Sequence, residues 1–255
     1  MNVLHIAGRE LKMFLVSPWT YAVLAATVAI LGFFFAGQVS WFAEVSQRPS
    51  GGFMGPVHFN LHTDVIAPYV GLVGIILIFL IPAFTMHLIA GERRHRSIEL
   101  LMTSPVSSWE IVLGKFLGAM GLYLVLLLLL AYVPIVMYVW GDPDNKIMLT
   151  SLLGVILLGS CYVSVGIAAS SLSENMIVSA VMGICVLLLF WVIEIGAMVT
   201  DAGWLTATLE MASLVRHLDN FTTGLIDTRD LVYMGSFSFF FLFVAQQRIE
   251  SLRWR

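Results

Sequence analysis

Three long stretches without a single Asp, Glu, Lys or Arg, residues 65–91, 116–141 and 147–173, limit what this chain can fold into. At ~1.5 Å of rise per residue, about 20 apolar residues cross the ~30 Å hydrocarbon core of a bilayer, and each stretch exceeds that length. Residues 18–43 are equally charge-free, 175–193 are nearly as long, and 231–247 are shorter but end in a Phe-rich run. The reading is an all-α membrane protein with six transmembrane helices, at residues 18–41, 65–91, 111–140, 147–172, 175–200 and 231–247. Composition agrees: of 255 residues 59% are hydrophobic and 11% charged, where a soluble domain carries roughly a quarter charged residues. The first helix is expected to be retained rather than cleaved as a signal peptide, because about 17 residues precede it and no small-residue cleavage site follows Phe33, Phe34 and Phe35.

The cations orient the helices, since Lys and Arg in short loops resist translocation more than acids do. Nine of them, Arg9, Lys12, Arg93, Arg94, Arg96, Lys115, Arg248, Arg253 and Arg255, fall on one side, against four, Arg48, Lys146, Arg216 and Arg229, on the other. Both termini and the loop between helices two and three are therefore expected in the cytoplasm. The outer loops are acidic. A net charge of -3 gives too little positive charge for a nucleic-acid partner. Cys161 and Cys185 lie inside apolar runs, which excludes a disulfide framework or zinc site and assigns both to packing.

Outside the spans, Leu4, Ala7, Leu11 and Phe14 recur at spacings of three and four while Arg9, Glu10 and Lys12 fall elsewhere. That pattern predicts an elbow helix over residues 1–17, lying in the membrane interface. Residues 92–102 carry a small apolar face of Ile98, Leu101 and Met102 among Glu92, Arg93, Arg94, Arg96 and Glu99, too polar for lipid. Pro105 ends that helix, and Ser107 with Glu110 three residues on forms a capping-box pattern that opens helix three. Residues 203–215 are apolar apart from Glu210 but too short to cross, so 203–230 reads as a re-entrant or interfacial outer segment, with Gly224 and the acidic cluster Asp219, Asp227 and Asp230 carrying the chain back to the last helix. Pro82 and Pro134 are expected to kink helices two and three.

Catalytic and metal chemistry is scarce. Gly114 and Lys115 form a GK pair, but Trp109 replaces the first glycine of a phosphate-binding loop and Phe116 the Ser or Thr that would bind magnesium. No HExxH is present, and no Ser or Cys has a recognisable base near it in sequence. His58 and His62, with Asp64 beside them, are weak metal candidates by spacing, in a stretch whose Gly51, Gly52, Gly55 and Pro56 favour a loop. Glu194 interrupts an apolar run, yet about 29 Å from residue 175 it reaches the outer interface, where with Glu210, Arg216, Asp219 and Asp227 it would line an outer mouth.

The segment Pro82-Ala83-Phe84-Thr85-Met86, followed by Glu92-Arg93-Arg94 and Ile98-Glu99-Leu100-Leu101-Met102-Thr103-Ser104-Pro105-Val106, resembles the permeases of type-2 ABC exporters. A second block, Leu214-Val215-Arg216-His217-Leu218-Asp219-Asn220-Phe221 through Gly224-Leu225-Ile226-Asp227-Thr228-Arg229-Asp230-Leu231-Val232-Tyr233, is similar to the branch named for gliding motility and multicopper-enzyme maturation. The resemblance implies a permease subunit in the bacterial inner membrane. It would pair with a second permease, copy or paralogue, and sit on two cytoplasmic ATPase subunits that hold ATP and magnesium, with a large extracytoplasmic protein as a possible further partner. Residues 92–108 would contain the coupling helix, docking on the ATPase through Ile98, Leu101 and Met102 and oriented by Glu92, Arg93, Arg94 and Glu99. An ATP-independent channel or membrane scaffold is the alternative reading, distinguished by whether an ATPase partner exists.

Overall fold

The computed structural model describes residues 2–46, 62–94, 106–140, 143–199 and 203–253. Among them all regular structure is helical, and six helices are long and apolar enough to cross a membrane: Pro18–Ser46, Asp64–Arg94, Ser108–Val139, Asn145–Leu172, Met176–Gly196 and Thr228–Leu252, here spans 1 to 6. An N-terminal helix, Asn2–Val16, precedes span 1 across a break at Ser17. Two short helices, Gly203–Ala212 and Leu214–Thr222, lie between spans 5 and 6. The six-span, all-helical membrane architecture is thus the one the apolar runs predict. The ends differ, because charge-free runs stop at the first ionic residue while helical hydrogen bonding continues past it. Span 1 runs on to Ser46, and the last helix covers Thr228–Arg253, taking residues 228–230 out of the outer segment.

Span 4 is the centre of the bundle, packed against spans 2, 3, 5 and 6 and against Leu214–Thr222. Lipid tails are as apolar as side chains, so helices in a bilayer associate through close approach at small residues rather than through the hydrophobic effect. Span 4 provides such residues along its length: Gly154 faces Phe221, Gly159 faces the Tyr123 ring, and Gly166 faces Thr85. Cys161 is buried here against the carbonyl of Met234; Cys185, also read as a packing residue, is instead exposed. Tyr123 is fixed by its hydroxyl, which donates to Val155 O at 2.6 Å. A methyl group at Gly159 would fall within the Tyr123 ring. Gly159→Ala is therefore expected to cost about 1–3 kcal/mol through overpacking. A thermal unfolding midpoint in detergent checks this, with Gly71→Ala, where nothing lies within 4 Å, not lowered.

The prolines act at different places. The Pro134 ring would meet the carbonyl of Leu130 four residues back, and span 3 breaks at Leu130–Ala131 into Ser108–Leu129 and Tyr132–Trp140. After Pro82, span 2 stays α-helical to Thr85 and then widens into a π-turn over His87–Gly91. A second π-turn, His62–Ile66, opens the same helix.

Candidate functional site

The π-turn at the end of span 2 is where three other elements meet. Widening to i→i+5 bonding frees backbone donors, and the N–H groups of Ile89 and Ala90 both donate to Ser170 Oγ of span 4, at 3.1 and 3.0 Å. Ser170 in turn donates to Met86 O at 3.1 Å, so one buried hydroxyl braces the whole turn. Directly after it come Glu92 and Arg93, two of the residues the sequence singles out. Arg93 donates to Ser171 O at 3.2 Å and pairs with Glu174 at 2.6 Å, which ties the helix end to the end of span 4.

Glu92 enters a buried ion cluster. Lys115 Nζ in span 3 lies 3.0 Å from Glu10 Oε1 in the N-terminal helix and 2.9 Å from Glu92 Oε2, and it also donates to Leu88 O of the π-turn. The ammonium thus donates to Glu10 and to the Leu88 carbonyl and is paired by charge with Glu92. Arg9 Nη2 closes the cluster, 2.9 Å from Glu10 and 3.0 Å from Glu92. Burial opposes the charge on Arg9, but the Glu10 and Glu92 carboxylates more than offset it and hold its pKa above the ordinary value. Lys115 and Glu10 are each only 1% exposed. Two cations and two carboxylates neutralise one another, which is what allows full charges to sit inside the packed helices.

Close approach of the N-terminal helix to span 3 makes this possible. A Cβ at Gly114 would stand 2.7 Å from Ile6, and one at Gly118 2.7 Å from Glu10. The helix therefore turns Glu10 and Phe14 inward, while Leu4 is 73% exposed. This corrects the stripe expected from periodicity, which put Leu4 on the apolar face and Glu10 off it. Lys115, counted among the cations that set orientation, is likewise buried inside span 3 rather than in a loop. The far end of the following loop is fastened too, because Ser107 and Glu110 form the expected capping box. Arg94 is exposed at the loop entrance. Ile98, Glu99, Leu101 and Met102 lie outside the described residues.

At the opposite end, the block 213–233 folds on itself. Ser213 Oγ caps Leu214–Thr222 by accepting the Arg216 N–H at 3.2 Å, and Gly224 makes the turn with a φ of 85°. Asp230, buried at 3% exposure, accepts from Asn220 Nδ2 at 2.9 Å and meets His217 Nδ1 at 2.6 Å. The His217 ring stacks on Tyr233 at 4.2 Å, and Tyr233 donates to Ala212 O at 2.7 Å. Of the expected mouth residues, Arg216 and Glu210 stand 3.9 Å apart, both well exposed, a pairing of little energetic weight. Asp219 shares an electrostatic neighbourhood with Glu194; burial pushes the Asp219 carboxyl upward, and Arg216 opposes it. Asp227 does a different job, accepting the Arg229 N–H at 3.0 Å at the start of span 6.

Among the described residues no group of three or more His, Cys, Asp or Glu side chains gathers to hold a metal. His62 accepts the backbone N–H of Asp144 at 3.0 Å, which joins the loop before span 4 to the start of span 2; His58 lies outside the described residues.

Six spans around a small-residue core, with ionic bracing where one helix leaves the bundle, define a multi-pass membrane protein. The chain belongs to the ABC-2 family transporter proteins, whose profile matches residues 57–211, more than half its length. No curated protein matches it.

Proposed function

We propose that this chain is the permease subunit of an ATP-driven exporter in a bacterial inner membrane. It pairs with a second permease, copy or paralogue, and rests on two cytoplasmic ABC ATPases that hold ATP and magnesium. Membership of a transport-permease family supports a role in transport rather than catalysis. The observation that carries the mechanism is the ion cluster at the root of residues 95–105. A membrane subunit that lacks a phosphate-binding loop must receive ATP energy mechanically, through a loop fixed to more than one helix. Here the loop entrance is bound through Glu92 to the N-terminal helix and span 3, and through Arg93 to span 4. Span 4 in turn carries Gly154 against Phe221 at the far end. Displacement of the loop would thus reach the outer helices along one packed element.

In this reading the N-terminal helix is the elbow, the loop carries the coupling helix, and the two short helices form a re-entrant cap. Ile98, Leu101 and Met102 dock on the ATPase while Arg94 and Glu99 orient it; Glu92 and Arg93 act one step back, as the relay into the bundle. Spans 1 and 5 are the least buried of the six, leaving faces for the second permease and lipid. The gliding-motility and multicopper-enzyme-maturation branch, with a large extracytoplasmic partner, is the narrower assignment, supported by the 214–233 block.

Charge reversal tests the docking role. Glu99→Arg adds a positive charge on the proposed cytoplasmic side, so insertion is expected to be retained while the ATPase is lost on affinity purification. Parental recovery of the ATPase would contradict it. Orientation has its own test: a reporter fused after Arg255 should be active in the cytoplasm, and a cysteine at Met211, which is 70% exposed, should react only with reagent outside. Labelling from the cytoplasm would refute that orientation.

A further inference from the structure

A cleft of about 920 Å³ opens between the N-terminal helix, the first turn of span 1, the end of span 2 and Met176 at the start of span 5. That is within the range of small-molecule sites, roughly 300–1,000 Å³. Its lining divides into two kinds. On one side are hydrogen-bond donors. Arg9 spends only Nη2 on Glu10 and Glu92, which leaves its Nη1 and Nε edge uncommitted among the described residues. Thr20, 3% exposed as a residue, lines the cleft and offers a hydroxyl donor there. His87, in the π-turn, presents an imidazole to the same cleft, also without a described partner. The carboxylates nearby, Glu10 and Glu92, are already held by Lys115 and Arg9. The other lining is apolar: Ala83, and the rings of Phe14 and Phe84, which meet edge-on at 6.2 Å.

We propose that this cleft binds a single glycerophospholipid, with its phosphate against Arg9, Thr20 and His87 and an acyl chain along Phe14, Ala83 and Phe84. A soluble anion would leave the apolar lining wet, and an uncharged apolar guest would leave the donors unpaired. An amphiphile with an acidic head satisfies both, and the cleft lies at the end of the bundle, where Thr20 in the first turn of span 1 brings it to headgroup depth. Because Arg9 belongs to the ion cluster, a bound phosphate draws on the same guanidinium that holds Glu92. Lipid occupancy is thereby linked to the junction assigned above as the relay. This regulatory consequence rests on that assignment; the binding site itself does not.

The test uses the purified full chain without any ATPase, so it stands whether or not the exporter reading does. Delipidated protein in detergent is given dioleoylphosphatidylglycerol, dioleoylglycerol or inorganic phosphate, and bound lipid is counted by native mass spectrometry beside the thermal midpoint. The phospholipid is expected to be retained one per chain and to raise the midpoint, and the other two additions are not. Two variants outside the ion cluster probe the two linings: Thr20→Val with His87→Leu removes donors, and Ala83→Trp fills the acyl channel. Each should lower phospholipid retention at least about tenfold, since one hydrogen bond to a charged group is worth about that much and the first variant removes two, while the second blocks the acyl channel, with the lipid-free midpoint unchanged. Equal retention of dioleoylglycerol would reduce the cleft to an apolar groove. An equal midpoint rise with inorganic phosphate would make it an anion site, and parental retention by both variants would place the lipid elsewhere. Any of the three overturns the proposal.

Discussion

Lys115→Met is expected to destabilise the folded chain by about 3–5 kcal/mol, the largest effect of any single substitution at the junction. Removing Lys115 leaves Glu10 and Glu92 to share Arg9, so the cluster carries an uncompensated negative charge, and Glu10 is only 1% exposed. The substitution also frees the Leu88 carbonyl, which accepts from Lys115. Joining it to Glu10→Gln should recover much of the loss, since Glu92 would still hold Arg9 at 3.0 Å and no full charge would remain unpaired. Thermal midpoints of the two single variants and the double variant form a cycle that isolates the pair. Additive losses would mean that Lys115 and Glu10 do not depend on each other.

Glu92→Gln should separate stability from function. The amide keeps the side chain's size and an acceptor, so the bundle is expected to fold, with Lys115 still paired to Glu10. What it removes is the charge joining the root of the loop to both the N-terminal helix and span 3. Transport-stimulated ATP hydrolysis is therefore expected to fall about tenfold, within the range typical of coupling between sites, while the ATPase remains bound. Lys12→Gln, at an exposed position on the N-terminal helix, provides the comparison and should retain parental hydrolysis. If Glu92→Gln hydrolyses ATP at the parental, transport-stimulated rate, Glu92 is structural and the relay lies elsewhere.

How much of this the sequence discloses depends on the kind of signal. Spans announce themselves by length and lack of charge, a property of consecutive residues. The capping box at Ser107 and Glu110 is equally local, and both were legible. The ion cluster is not legible in this way, because its members are brought together from three elements and each looks ordinary alone. Glu10 has the appearance of a polar-face residue and Lys115 of a loop cation. Two clues were nonetheless present. A helix that opens at Ser107 carries Lys115 two turns inside it, where an ammonium needs a carboxylate partner. Gly114 and Gly118, four apart, mark a face made for close helix approach, and it is this face that the N-terminal helix meets. In the outer block the acids drew attention by charge, yet the structure builds its contacts on His217, Asn220 and Asp230. Their meeting around the buried Asp230 rather than charge selects those three, and that meeting is a tertiary property. The breadth of helix two was also hidden, since π-turns such as His87–Gly91 leave no period that an apolar run reveals.

The most direct test of the account is to purify the tagged chain from its native membrane in mild detergent and ask what accompanies it and whether the preparation hydrolyses ATP. An ABC ATPase at one copy per permease chain, with hydrolysis abolished by substituting the ATPase's own nucleotide site, is the predicted result. A folded, monodisperse permease that emerges without any nucleotide-binding subunit, and that conducts or anchors without ATP, would contradict it.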